Sequence, residues 1–285
     1  MEDISNNEKD NKFKSIVDLD NLKSDYFLQK LFDSLKKNKS LNITKYNKKL
    51  QKRLKLSFND YKEFSQLYTK VEIELKLVDN KSGKFINILD ENEKYYHIYF
   101  DNSEEEIKKY CIDEEEVKVI KIIIDYQINS FQKLFSDCKC ISSIIFKKFF
   151  RNNIINMNHM FSGCKHLKEL NISNFNTINV TDMSFMFSGC KALKDLNLSS
   201  FNTINVTNMS SMFSGCSSLK ELDLSNFDTH NVTDMSWMFY ICQSLTKLNI
   251  SNFNVDKVTS FRAMLAVCSD ELKEKIKMQN EKIKI

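Results

Sequence analysis

The chain has 285 residues, 42% of them hydrophobic, and a net charge of +4. This much apolar material excludes a disordered chain, and so small a charge excludes a protein that meets nucleic acid or a membrane through its overall balance. Proline is absent and only Gly83 among the four glycines lies outside the repeats, which excludes a Gly-x-Gly-x-x-Gly fingerprint and a phosphate loop.

Residues 1–13 are dense in Asn, Lys, Asp and Glu and contain no apolar core of a signal peptide. No run approaches the roughly 18 apolar residues of a membrane span. The most apolar stretch, Val119–Ile124, is broken by Lys121. The expectation is a soluble, cytoplasmic protein.

The first helix is predicted over Asp25–Leu35, where Phe27, Leu28, Leu31, Phe32 and Leu35 share one face. A second carries Tyr46, Leu50 and Leu54 on one side and Lys45, Lys48, Lys49, Lys52 and Arg53 on the other. That basic face suits an anionic lipid or nucleic acid, or plain solvent. The acidic stretches Glu104–Glu106 and Asp113–Glu116 offset it, and no nucleic-acid partner is expected. A third helix is placed over Tyr61–Tyr68. Period-two alternation at Val71, Ile73, Leu75 and Leu77 then predicts a strand, followed by a turn near Asn80–Gly83 and strands over Phe85–Leu89 and Tyr95–Phe100. These elements divide into a helical region over 1–68 and a small β-rich region over 69–116.

From Val117 onward the chain carries a ruler. Cys138, Cys164, Cys190, Cys216, Cys242 and Cys268 stand 26 residues apart, and the same step relates Met183 to Met209, Phe187 to Phe213, Leu196 to Leu222 and Phe201 to Phe227. A period of this length with the pattern Leu-x-x-Leu-x-Leu is the signature of leucine-rich repeats. In each unit Leu222 and Leu224, or their equivalents, point to one face of a short strand. Met183, Met186, Phe187 and Cys190 follow at i, i+3, i+4, i+7 and predict a short helix capped by Thr181 or Asp182. The expected fold is therefore an α/β leucine-rich-repeat solenoid over 117–269, one short strand and one short helix per repeat. It has a small N-terminal α+β region, a first rung at Val117–Ile124 and a capping helix over 270–285.

The unit running from Val206 through Met209, Met212, Phe213, Gly215, Cys216, Leu219, Leu222 and Leu224 to Phe227 resembles the BspA-like leucine-rich repeat family. The resemblance covers about half the chain and implies a repeat protein of the surface or adhesion kind, with a cell-surface location as the alternative to a cytoplasmic one. Asp25–Leu35, followed by Leu41, Ile43, Tyr46 and Leu50, resembles an F-box, although the usual Leu-Pro opening is absent. That resemblance implies docking on a ubiquitin-ligase scaffold, with the repeats holding a substrate.

Little chemistry is readable. His97, His159, His166 and His230 have no zinc-protease spacing, and Cys138 with Cys140 lacks a second pair, so neither a metal nor a cofactor is expected. The cysteine ladder reads as buried free thiols in a reducing compartment, with bridges between neighbouring repeats as the other possibility. No catalytic constellation stands out, and the function expected is non-catalytic binding of a protein partner whose identity the sequence does not disclose. Its contact residues come from where the repeats differ. The position two after the first Met of each unit lies about 200° round the predicted helix and should face solvent. Its occupants are His159, Phe185, Ser211, Trp237 and Ala263, and the candidate partner-binding residues are Phe185, Trp237 and His159.

Overall fold

The computed structural model describes residues 24–34, 44, 46–57, 70–101, 103–113, 116–126 and 128–283. The chain divides into two compact units, Met1–Gln66 and Leu67–Ile285.

In the first unit, α1 (Asp25–Ser34) opens on an acidic residue that suits a helix N-terminus. Helix α2 (Lys48–Arg53) is capped by Asn47, whose side-chain oxygen accepts from the Leu50 N–H at 3.0 Å. Leu28, Phe32, Leu50 and Leu54 form a small core, and Arg53 pairs with Asp25 at 2.7 Å. Tyr46 departs from the expected apolar face: it is exposed. The third predicted helix, together with Leu35, Leu41, Ile43, Lys45 and the side chains of Phe27 and Leu31, lies outside the described residues.

The second unit is built on a five-stranded sheet. Strand β1 (Val71–Leu77) buries Val71, Ile73 and Leu75 by simple alternation. It lies between β5 (Val119–Ile124) and β6 (Ile141–Lys148), antiparallel to both. Strand β3 (Tyr96–Phe100) pairs with β5 on the far side. Val117–Ile124 is thus not the first rung of the repeats. Strand β1 abuts the first repeat instead, and the sheet continues across the expected boundary at 116/117. Phe85–Leu89 forms no strand; only Gly83–Lys84 (β2) pairs, with Cys111–Ile112 (β4). Phe85 and Ile86 are nevertheless fully buried.

At β6 the pairing turns parallel, first to β7 (Glu169–Asn171), which completes the sheet order β3-β5-β1-β6-β7. It is parallel again between β8 (Glu221–Asp223) and β9 (Lys247–Asn249). The expected solenoid with a helix in every repeat is contradicted. The described residues form a sheet-rich fold of mixed sheets with few helices, and residues 128–269 contain no helix.

The reason lies in the backbone donors of the predicted helix. Met183, Phe185, Phe187 and Gly189 donate their N–H groups to the carbonyls of Asn208, Ser210, Met212 and Ser214 in the next repeat, at 3.1, 2.9, 2.9 and 2.7 Å. The intervening N–H groups close locally. Met186, Ser188 and Cys190 bond three residues back, and Ser184 bonds the Asp182 carboxylate at 2.8 Å. A helix begun at Thr181 or Asp182 would send the donors past its first turn four residues back along its own course, and none of these donors to the next repeat. Here half of them stitch consecutive repeats together, and no donor is left over. Two residues must take left-handed backbone for this course, Phe185 at φ 56° and Gly189 at φ 74°.

The core repeats with the chain. Phe135, Phe161, Phe187, Phe213 and Phe239 stack with centroids 5.6–5.9 Å apart. Phe149, Phe175, Phe201 and Phe227 form a second stack. Thr177, Thr203 and Thr229, all buried, each donate a hydroxyl to a carbonyl of the following repeat at 2.8 Å. Helix α3 (Asp270–Gln279), capped by Ser269, buries Leu272 and Ile276.

Candidate docking face

Each repeat turns its corner at the same place, and the residue there is left-handed: Lys133, His159, Phe185, Ser211, Trp237 and Ala263, with φ between 51° and 60°. All three residues singled out from the sequence stand in this column. They do not project from a helix as expected, because there is no helix. Their side chains are half-buried and lie against neighbours. The His159 ring stacks on Phe185 with centroids 4.4 Å apart. Trp237 meets Tyr240 edge to face at 4.9 Å and carries the Arg262 guanidinium over its ring at 5.5 Å. Ser211, between the two large rings in the column, is itself buried. Burial, then the charge of Lys133, holds His159 below the usual imidazole range, so its ring is a neutral stacking partner near pH 7.

The columns beside it are plainer. Asn156, Asp182, Asn208 and Asp234 each accept a hydrogen bond from the N–H two residues on, at 2.7–2.9 Å. This occupies short polar side chains in turn-making. Where Lys133 and His159 begin the column, a groove of about 1120 Å³ opens, lined among others by Leu89, Tyr96, Tyr126, Asp137 and Ser162. Leu89 and Tyr126 are exposed large hydrophobics, and Tyr126 stacks on Tyr95 at 3.9 Å. Sequence reasoning missed both, because they lie outside the repeats and no periodicity marks them.

Chemistry beyond binding is sparse. Among the described residues no three His, Cys, Asp or Glu side chains converge to hold a metal ion. His97 lies 3.1 Å from both Glu106 and Asp125, and His230 lies 2.7 Å from Asp228. All eight cysteines are free. The repeat thiols serve the structure, since Cys164, Cys190, Cys216, Cys242 and Cys268 donate S–H to the carbonyls of Phe135, Phe161, Phe187, Phe213 and Phe239. Valine would fill the space and leave those carbonyls without that donor. Burial pushes the Cys164 and Cys216 thiols up to about 12, which removes thiolate character at neutral pH. A maleimide is therefore expected to modify the exposed Cys111 alone in the native chain and all eight cysteines after unfolding without reductant, as counted by mass. Six or fewer additions to the unfolded chain would show bridges in the ladder.

Among the described residues no helix is long and apolar enough to cross a membrane. A family described as Mycoplasma protein of unknown function, DUF285, matches residues 129–222 and 191–282. No curated protein and no solved structure matches the chain.

Proposed function

We propose, for a chain that belongs to the DUF285 family by a match spanning more than half its length, that it is a non-catalytic module that binds another protein through the left-handed column. One observation carries the reading. Left-handed backbone costs a side-chain-bearing residue about 1–2 kcal/mol relative to right-handed backbone. At the repeat's other left-handed position three of the six repeats use glycine, Gly163, Gly189 and Gly215, which escape that cost, while the remaining three carry Asp137, Ile241 and Val267; no repeat uses glycine at the first position. At the first position it carries His159, Phe185 and Trp237 instead, two of them bulky aromatics of the kind favoured as interface anchors. The backbone of the column is committed to the inter-repeat ladder, so its side chains are the part left to vary. The free thiols support a reducing, cytoplasmic setting.

The test is the double substitution Phe185→Ser with Trp237→Ser, scored for melting temperature and for partner recovery from native lysate. Recovery is expected to fall more than about tenfold at an unchanged melting temperature, as loss of interface anchors does. A lowered melting temperature with full recovery would show that the rings only cover their neighbours. Ligase scaffold subunits among the recovered proteins would favour the F-box-like reading of the N-terminal helices, whose small core of their own is compatible with a separate docking element.

A further inference from the structure

We infer that the last repeat segment, residues 260–268, is a docking edge for an extended backbone segment of a partner protein. The ladder between repeats has a direction: each repeat donates alternate N–H groups forward and accepts from the repeat before it. Met235, Trp237, Phe239 and Ile241 donate to the carbonyls of Ser260, Arg262, Met264 and Ala266 at 2.8–3.1 Å. The final repeat keeps the same course. Met264, Ala266 and Cys268 close the same local turns, and Ala263 and Val267 are left-handed at φ 51° and 66°. Its forward donors are therefore the N–H groups of Phe261, Ala263, Leu265 and Val267. None of the four has an acceptor among the described residues. Four backbone donors aimed along one direction are an unfinished ladder, the feature by which sheet edges recruit a further strand.

The rest of the same end is closed, which makes the opening specific. Gln279 at the end of α3 imitates a further strand, donating to the Leu248 carbonyl at 3.0 Å and accepting from the Ile250 N–H at 3.1 Å. Asn280 donates to the Phe253 carbonyl at 2.9 Å, as Asn252 does to Phe227 and Asn226 to Phe201 at 2.8 Å. The chain thus caps its strand and loop sides with side chains that copy the next repeat, and among the described residues nothing copies it over 260–268.

A second copy of this chain is not the occupant. It would have to offer the first-repeat carbonyls of Ser130, Gln132, Leu134 and Ser136, and Asn87 already holds the last two of these four. The Asn87 N–H bonds the Leu134 carbonyl at 2.7 Å, and its side-chain amide bonds those of Lys133 and Ser136 at 2.9 and 2.8 Å. The occupant is a segment of another protein that presents carbonyls at alternate residues. It follows the same twice-turned course, with a small residue or glycine at the left-handed corners. This edge is distinct from the aromatic side chains of the column, and its test reads different atoms.

The probe is a synthetic peptide of residues 208–215, whose carbonyls at Asn208, Ser210, Met212 and Ser214 fill this role inside the array. Amide hydrogen exchange is followed by NMR in the full chain. Without peptide, Phe261, Ala263, Leu265 and Val267 should exchange faster than Met235, Trp237, Phe239 and Ile241. Excess peptide should slow those four by more than about tenfold, as a completed hydrogen-bond ladder does, and a scrambled peptide should not. Equal protection in the free chain, no slowing by the peptide, or the same slowing by the scrambled sequence would each overturn the assignment.

Discussion

Raising the pH from 8 to 10 is expected to remove most of the stability of the second unit. Burial, the largest cause in each case, raises the thiols of Cys138, Cys140, Cys164, Cys190, Cys216, Cys242 and Cys268 above their ordinary value, that of Cys140 to about 11 and those of Cys164 and Cys216 to about 12. In the unfolded chain they ionise near about 8.5. Below that value both states hold the proton, and the thiols contribute no pH dependence. Above it the unfolded state loses protons that the folded state keeps, so stability falls as pH rises, from about 8.5 until the folded thiols themselves ionise. One such group contributes at most about 1.4 kcal/mol per pH unit in that window, and seven together at most about 10 kcal/mol per unit. A domain has only about 5–15 kcal/mol in total. Denaturant titrations at pH 8, 9 and 10 check this, and Cys216→Ala should flatten the slope by roughly one seventh, since it removes one thiol of the seven. A midpoint that stays put between pH 8.5 and 10 would refute the burial of the ladder.

Phe213→Ala is expected to cost about 3–5 kcal/mol, the range for deleting a buried aromatic. Phe213 is fully buried. Its ring is sandwiched between Phe187 and Phe239, 5.6 Å away on either side and within 12° of parallel. The loss falls toward the upper end for a structural reason. The backbone on both sides is pinned, Phe213 to Met238 and Phe187 to Met212 at 2.9 Å, so the neighbouring rings cannot slide into the hole. Loss of burial is joined by loss of two ring stacks, each about 0.5–1.5 kcal/mol. The companion Phe185→Ala, in the half-buried column, should cost markedly less. Equal losses from the two, measured by urea denaturation, would mean that the inner stack is not the core.

The inward residues were legible and the backbone that turns them inward was not. Met183, Met186, Phe187 and Cys190 are buried as the i, i+3, i+4, i+7 pattern requires. Two consecutive turns with left-handed corners bury the same four residues that a helix would. Hydrophobic periodicity reports which side chains share a face, and at this length it does not separate the two conformations. A hint was present in the sequence: Gly163, Gly189 and Gly215 recur at one left-handed corner. Glycine at that place is equally compatible with a helix stop. The other corner carries His159, Phe185 and Trp237, residue types that announce nothing about φ.

What the amino-acid sequence determined by itself is the 26-residue register, the apolar ladders within it, and the column in which repeats differ, because these are properties of residue order alone. Tertiary structure decided whether the N–H groups of Met183–Cys190 bond within their own segment or to the next repeat. That choice depends on an acceptor lying about 3 Å away in a different part of the chain, as the Asn208 and Ser210 carbonyls do. It likewise decided that β1, and not Val117–Ile124, abuts the first repeat, that Asn87 holds two of the carbonyls at one end of the ladder, and that four donors in residues 260–268 have no acceptor among the described residues at the other. Each of these is a pairing between segments distant in sequence, and no local pattern encodes its partner.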